Sequence, residues 1–462
     1  MSGTSTDAPV AMRVWPQLLP ELAAKIVSHL EQNEVPNFRL VNKAAAAQFS
    51  APNHTTYRLS QPVPPHAFAA KWLAPGSTGG LTLKRRRQLL YLTAASGLVP
   101  NLEAAVQAAG CLLTYEVFEA AAAAGKLESC QWLWDQGCPT TSHPQAPSGL
   151  LAAAAGGGHG HLCEWLLGLG LAWASGGASE AARGGHAHLM EWLLQQRPQL
   201  DVQGAEPAEE QRLLFAAVAH GCDLPTLQRF WHARGTPDAG AKEETLAAAA
   251  GSPAPDWAAK VEWLVAQGCP RATVRPANMA ARRPDAAARL AWLRSRDYPM
   301  DSWTVWVAAG EGNVATLQYL LAEAGVSVGD PDPEDAALRA SNRALVTQAA
   351  AREGHLAVLQ ALHAAGWPLG GLCALEAVRG GHMHVLAWLV ETLGAAGVGF
   401  APGLFNAAAQ SGGVVLMAWL RERGCAWGRD AFASAAMSGC EEAVEWLVAQ
   451  GCPMETMALT EV

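Results

Sequence analysis

Short alanine-rich stretches alternate with amphipathic stretches over most of the chain. Residues 405–410 (Phe-Asn-Ala-Ala-Ala-Gln) favour a helix, and their small side chains permit close helix packing. After Gly381, the residues Val385, Leu386 and Leu389 recur at the spacing of one helix face. Glycine, which readily adopts the left-handed conformation that ends a helix, follows both kinds of stretch. The pattern predicts a unit of helix, turn, helix and variable connection.

This unit is repeated along the chain. Residues 183–193 (Arg-Gly-Gly-His-Ala-His-Leu-Met-Glu-Trp-Leu) match 379–389 (Arg-Gly-Gly-His-Met-His-Val-Leu-Ala-Trp-Leu), and the frame recurs elsewhere. A fixed minimal unit with insertions at one place is typical of a solenoid, and we predict about 11 or 12 units. One slot of the frame holds tryptophan, which we expect to pack against the next unit: Trp132, Trp165, Trp192, Trp263, Trp292, Trp388, Trp419 and Trp446.

Composition agrees with a repeated unit. The 462 residues exceed the size at which a single core stops growing, about 250–300 residues. Tryptophan (18) outnumbers phenylalanine (9) and tyrosine (5), which indicates that one tryptophan-bearing unit has been copied. Half of the residues are hydrophobic and 16% are charged, which argues against a disordered chain.

Charge and hydropathy limit the partners. The net charge of −9 disfavours a nucleic-acid binder, and no run of about 18 apolar residues predicts a membrane span. No secretory signal is visible, and the ten cysteines read as reduced thiols. We therefore expect a monomeric protein in the cytoplasm. The run Lys84-Arg85-Arg86-Arg87 is either a nuclear-import patch or the solvated start of a helix.

Candidate catalytic and metal-binding chemistry is sparse. Three His-x-His pairs (159/161, 186/188 and 382/384) suggest metal ligands, but they fall in one slot of the repeat, where other copies have Lys126, Asn313 or Cys440. We expect the histidines to bond to neighbouring backbone and the cysteines to be small buried hydrophobes. No Walker A, Gly-x-Ser-x-Gly or His-Glu-x-x-His motif is present. We predict no catalytic site, metal or cofactor.

The repeat resembles a known family. The pattern Gly-His-x-x-x-Leu-x-Trp-Leu, followed by Gly-Cys-Pro as at Gly451-Cys452-Pro453, resembles the divergent ankyrin repeat in its short Trp-Leu form. The resemblance covers about 89–454 and implies an all-α, ankyrin-type helical-repeat solenoid that binds another protein. The family's starting Thr-Pro-Leu-His is absent, so we expect plain loops in place of β-hairpin fingers.

The chain before the repeats predicts a small helical head. Leu22, Ile26 and Leu30 form one apolar stripe. Residues 18–43 are similar to an F-box, the motif that binds the Skp-type adaptor of cullin–RING ubiquitin ligases. The resemblance implies these adaptor-facing residues: Leu18, Leu19, Pro20, Leu22, Ile26, Leu30, Leu40 and Val41. The alternative is that the head only caps the open end of the solenoid.

These predictions divide the chain into five parts: a disordered N-terminus (1–12), an F-box-like motif (13–50), a Pro/Gly-rich linker (51–87), the ankyrin-type solenoid (88–456) and a tail (457–462). The leading hypothesis is a substrate-receptor subunit of a ubiquitin ligase, whose head binds the adaptor and whose repeats bind a protein target. The alternatives are an ankyrin scaffold or inhibitor and an enzyme with a site in the solenoid groove. Target contacts are expected on the first helices and the insertions 140–148, 200–210 and 326–342.

Overall fold

The fold is all-α, as predicted. A computed structural model describes residues 19–143, 146–196, 207–323, 325 and 336–453, with the backbone alone at 207 and 336–342. These residues form 29 helices and no β-strand, and one isolated parallel bridge joins Ser148 to Trp173. None of the described helices is long and apolar enough to span a membrane. The predicted N-terminus (1–12), the tail (457–462) and Leu18 lie outside the described residues.

Four short helices form the head: α1 (Pro20–Val27), α2 (Val35–Phe38), α3 (Lys43–Gln48) and α4 (Pro52–Thr55). Ala23, Phe38, Ala45 and Phe49 make a small buried core of their own, separate from the main core. Asn33 joins the head to the following chain. Its side-chain amide donates hydrogen bonds to the carbonyls of residues 58, 61 and 62 at 2.7–3.1 Å.

The segment predicted as a Pro/Gly-rich linker, 51–87, contains helices. This segment contains α4, α5 (Pro65–Trp72) and the start of α6 (Leu83–Ser96). Phe68 of α5 is 2% exposed and lies in the main core. A proline at the first position of a helix costs no hydrogen bond, so the prolines here begin helices instead of excluding them.

Twelve helix pairs, called units 1 to 12, follow the head. The first helices are α6, α8 (Tyr115–Ala123), α10 (Leu150–Gly156), α12 (Ala178–Arg183), α14 (Pro207–Gly221), α16 (Ala239–Ala250), α18 (Arg275–Ala280), α20 (Ser302–Gly310), α22 (Ala336–Glu353), α24 (Gly371–Gly380), α26 (Pro402–Gln410) and α28 (Ala431–Ser438). The second helices are α7 (Val99–Ala109), α9 (Leu127–Asp135), α11 (Gly160–Leu167), α13 (Ala187–Gln196), α15 (Leu224–Arg234), α17 (Trp257–Ala266), α19 (Ala286–Arg294), α21 (Val314–Gln318, continued by a π-helical turn over Tyr319–Glu323), α23 (Leu356–Ala364), α25 (Met383–Val398), α27 (Val414–Glu422) and α29 (Glu441–Ala449).

First helices pack against the first helices of neighbouring units and form one continuous row. Their alanines make this possible: Ala121 and Ala122 of α8 and Ala154 and Ala155 of α10 are fully buried. Small side chains let helix axes approach closely, and the leucines of the second helices fill the space behind them. One main core therefore runs through all twelve units.

The tryptophan slot lies at the margin of this core. All eight slot tryptophans are half-buried and pack against the core. Several of these rings contact a ring of the preceding unit, as between Trp263 and Trp231, whose ring centroids are 5.6 Å apart. The ring centroids of Trp446 and Trp427 are 6.3 Å apart, and Trp427 lies in the connection between units 11 and 12. The rings therefore help to join consecutive units.

The carbonyls at the end of each first helix have no partner within the helix. In several units a histidine from the next unit supplies one. A ring nitrogen of His159 lies 3.1 Å from the carbonyl of Ala123, and His355 lies 2.9 Å from that of Gly310. Because a carbonyl can only accept, the ring nitrogen donates. The histidines thus bond to neighbouring backbone, which holds successive units together.

Buried cations play the same part in units 6 and 7. Lys260 is fully buried, and its ammonium donates to the carbonyls of Ala219 and Cys222 and to the Ser252 hydroxyl at 2.7–2.9 Å. Arg289, one unit later, donates at 2.8 Å to the carbonyl of Ala250, the last residue of α16, and to that of Ser252 just beyond it. A cation at a helix C-terminus is favoured by the helix dipole. The sequence analysis did not predict either residue. Each could have been recognised as a basic residue on the buried, apolar face of a second helix, in two consecutive units.

The two ends of the array touch each other. Arg86 near the start of α6 forms an ion pair with Glu441 of α29 at 2.9 Å. The carbonyl of Gly79 accepts hydrogen bonds from the backbone N–H of Glu442 (3.3 Å) and from the Cys440 thiol (3.7 Å). The array therefore curves back so that its first unit covers part of its last unit. Open repeat ends need such cover because their core faces are otherwise exposed.

We predict that Lys260→Met lowers the free energy of unfolding by about 2–4 kcal/mol, because each buried acceptor left without a donor costs about 1–3 kcal/mol. Urea denaturation followed by tryptophan fluorescence measures the loss. Lys242→Met, at a half-buried lysine of α16, is the control and should change stability by about 0.5 kcal/mol or less. Equal effects of the two substitutions would contradict the role given to Lys260.

We predict that Gly354→Ala destabilises the protein more than Gly366→Ala. Both glycines have a left-handed backbone (φ +80° and +76°), so each substitution costs about 1–2 kcal/mol. A Cβ at Gly354 would also lie 2.5 Å from the ring of His382, whereas nothing lies within 4 Å of the Cβ position at Gly366. The close contact adds about 1–3 kcal/mol. Equal urea midpoints for the two variants would refute the close histidine contact.

Candidate protein-binding surfaces

Two of the three His-x-His pairs, 159/161 and 382/384, are engaged with the protein's own backbone. His384 lies 3.0 Å from the carbonyl of Gly354, and His159 bonds to the end of α8. Burial lowers the pKa of His159 and of His382, which favours neutral rings. Among the described residues, no group of three or more His, Cys, Asp or Glu side chains is arranged to hold a metal ion.

The cysteines are thiols packed inside the array. Nine are buried and Cys111 is half-buried, and none forms a disulfide. Burial raises the pKa of Cys130 and of Cys163 to about 12. A thiol with so high a pKa carries almost no thiolate at neutral pH and is a poor nucleophile. These residues act as small hydrophobic side chains.

The head exposes large apolar side chains. Leu19, Leu22, Leu40 and Val41 are 60%, 48%, 82% and 42% exposed, respectively. Pro20 is also exposed, while Ile26 and Leu30 are half-buried against the head core, and Leu18 lies outside the described residues. Four exposed aliphatic side chains within one small helical head mark a surface that suits a partner.

This apolar surface stands on a folded support. Ala23 of α1 points into the head core beside Phe38, Ala45 and Phe49, which leaves Leu19 and Leu22 outside it. The side-chain amide of Gln48 donates to the carbonyl of Pro20 at 2.8 Å and ties the end of α3 to the start of α1. The position of the exposed leucines of α1 is therefore set by packing.

The row of first helices exposes a second apolar surface. Trp303, Leu345 and Leu372 are 52%, 52% and 61% exposed and occupy the same position in α20, α22 and α24, nine residues before the turn glycine of each unit. Trp306 stacks on Trp303 with ring centroids 4.5 Å apart. We call these four residues the apolar stripe. An open groove of about 700 Å³ runs beside it and is lined by Trp306 and Leu345.

A third surface lies where the two ends of the array meet. An open cavity of about 970 Å³ separates the start of α6 from residues of units 10 to 12, and we call it the closure groove. Its charged lining residues are Lys84, Arg85, Arg87, Arg379 and Glu116. Residues 84–87 thus begin a helix, as one of the two predictions stated. Nuclear import remains a prediction.

The insertions were also predicted to carry contacts. Parts of 140–148, 200–210 and 326–342 lie outside the described residues, while 207–210 belong to α14 and 336–342 to α22. Ser148 makes the bridge to Trp173. Its backbone N–H donates to the carbonyl of Ala172 at 2.8 Å, and its carbonyl accepts from the N–H of Ala174 at 2.9 Å. The described parts of these insertions therefore extend helices or join consecutive connections.

Comparison with known proteins leaves the function to be argued from these surfaces. No protein-family model matches the chain, and no curated protein sequence matches it. The resemblances to the ankyrin repeat and to the F-box accordingly rest on the chain's own residues.

Proposed function

We propose that the chain is a protein-recognition subunit of a cullin–RING ubiquitin ligase in the cytoplasm. In this proposal the twelve units are an ankyrin-type solenoid that binds a target protein. The F-box-like head binds the Skp-type adaptor through Leu19, Pro20, Leu22, Leu40 and Val41. The protein carries no catalytic chemistry of its own and brings its target to the ligase.

The observation that carries the proposal is the exposure of the head's apolar residues. A head that only capped the array would bury Leu19 and Leu22 on the first unit, yet they are 60% and 48% exposed. The first unit is covered instead by α5, whose Phe68 lies in the main core. The head keeps a core of its own. Its exposed leucines are therefore free to meet a separate protein.

Recognition of a target by the units is supported by the apolar stripe. The stripe exposes aromatic and aliphatic side chains to water at one position in the first helices of three consecutive units. A partner that covers them gains about 25 cal/mol for each Å² of apolar surface removed from water. Tryptophan in particular is enriched among residues that dominate binding energy. Trp303 with its stacked neighbour Trp306 is the strongest anchor of the stripe.

We predict that the full chain captures purified Skp-type adaptor and that Leu19→Asp/Leu22→Asp weakens capture by about tenfold or more, because a carboxylate would be buried in an apolar contact. Biolayer interferometry with immobilised adaptor measures the change. Leu112→Asp, at a leucine that is 86% exposed in the array, is the matched control and should bind like the unaltered chain.

Two results would count against this function. If the unaltered chain does not bind the adaptor, the ubiquitin link is lost and an ankyrin scaffold or inhibitor remains. If it binds but both variants bind equally well, the head leucines are not the contact. Circular dichroism of the three proteins should coincide, which excludes misfolding of the head as the cause of a loss.

A further inference from the structure

The closure groove concentrates positive charge on an acidic protein. The chain carries a net charge of −9, yet four of the five charged residues that line the groove are basic. Lys84, Arg85 and Arg87 come from one turn of α6, and Arg379 comes from unit 10. The contact between the two ends of the array brings these distant segments together.

These cations are largely available to a ligand. Arg86 is 13% exposed in its side chain and is engaged by Glu441, whereas its neighbours Lys84, Arg85 and Arg87 are exposed. Among the described residues Lys84 and Arg87 form no ion pair, and Arg85 donates only to the side-chain carbonyl of Gln88 at 3.0 Å. The run 84–87 thus splits into one residue that closes the array and three that face solvent.

Two groups reduce the positive charge without cancelling it. Arg379 pairs with Glu376 on its own helix at 2.6 Å, and Glu116 lines the groove from α8, which packs against α6. The pKa of Glu116 is lowered mainly by a hydrogen bond from Thr114 and further by Arg87, so it is ionised at neutral pH. Lys84, Arg85 and Arg87 against one carboxylate still leave an excess of cations. Such an excess in a concave surface attracts anions from a distance.

The wall of the groove formed by units 10 to 12 exposes aliphatic side chains beside polar ones such as Arg379 and Ser438. Val415 and Met437 both line it and are 70% and 69% exposed. Methionine fits varied aliphatic partners because its side chain is unbranched and polarisable. A ligand that satisfies both walls needs negative charges next to an aliphatic group.

That combination favours a protein segment over a nucleic acid. Single-stranded nucleic acids bind through rows of aromatic residues that stack on successive bases, whereas Tyr91 is the one aromatic residue among those lining the groove. The acidic body of the protein also repels a phosphate backbone that extends beyond the groove. A short acidic segment of a protein avoids this repulsion by ending where the basic surface ends.

We propose that the closure groove binds an acidic segment of a partner protein. The segment's carboxylates lie against Lys84, Arg85 and Arg87, and an aliphatic side chain next to them packs on Val415 and Met437. This inference rests on the target-recognition half of the proposed function and names the chemistry of the partner. It is independent of adaptor binding by the head.

Fluorescence anisotropy of the full chain with labelled 12-residue peptides tests the proposal. A peptide that combines glutamates with leucines should bind. Its affinity should fall as the salt concentration rises from about 50 to about 500 mM, because salt screens the ion pairs. A lysine–leucine peptide and a glutamate–serine peptide of the same length should bind about tenfold more weakly or not at all. Lys84→Glu/Arg87→Glu should lower the affinity for the glutamate–leucine peptide by about tenfold or more.

Arg234→Glu/Arg271→Glu is the matched control. It makes the same change in net charge at two exposed arginines outside the groove, in units 5 and 6, and should leave peptide affinity unchanged. Val415→Asp should weaken binding without any change in the basic wall. Thermal unfolding of all variants shows whether the array remains folded.

Several outcomes would overturn the proposal. No binding of the glutamate–leucine peptide, binding that survives Lys84→Glu/Arg87→Glu, or equal loss in the matched control would each exclude the groove as its site. A single-stranded oligonucleotide that binds more tightly than the peptide, with the same dependence on Lys84 and Arg87, would make the ligand a nucleic acid. Adaptor capture by the same preparations separates this result from the proposed function, since capture depends on the head alone.

Discussion

The array depends on hydrogen bonds to the backbone carbonyls at the ends of the first helices, because these carbonyls need donors from outside their own helix. A helix end buried between units has acceptors without intrahelical partners, and burying them unpaired is costly. The next unit supplies the donor: a histidine ring nitrogen at Ala123 and Gly310, and the buried ammonium of Lys260 at Ala219. Units 2, 5 and 8 therefore each depend on the unit that follows them.

This requirement explains several features of the repeat. The turn of one unit lies so close to the histidine ring of the next unit that a Cβ at Gly354 would collide with His382. Glycine is needed there for its left-handed backbone and for the missing side chain. Small side chains on the first helices then let the units approach closely enough for the donors to reach. The His-x-His pairs recur for this structural reason, and a metal is not needed to explain them.

These hydrogen bonds form between units, so the exposed side of the first helices remains available to partners. The second helices and the tryptophan slot join the units. On the exposed side of the first helices, Trp303, Leu345 and Leu372 remain in contact with solvent. The head likewise has its own core, and α5 covers the first unit in its place. Under the proposed function, an adaptor at one end and a target along the array would meet surfaces that the protein's own packing leaves exposed.

The sequence alone determined the local organisation of this protein. The 3.6-residue periodicity at Val385, Leu386 and Leu389 and the glycine turns predict helix pairs, because helices and turns depend on neighbouring residues. It also indicated that the histidines bond to backbone. It did not reveal the helices within residues 51–87, where Phe68 is buried in the main core. The same limit hid the roles of Lys260 and Arg289.

Only the tertiary structure decided which side chains are exposed and which ends meet. Leu22 and Ile26 belong to one stripe in the sequence, yet Leu22 is 48% exposed while Ile26 packs on the head core. The basic run at 84–87 acquires two different roles because Arg86 meets Glu441, a residue 355 positions away. Contacts at that distance depend on the summed curvature of twelve units, and no local pattern of residues encodes that sum.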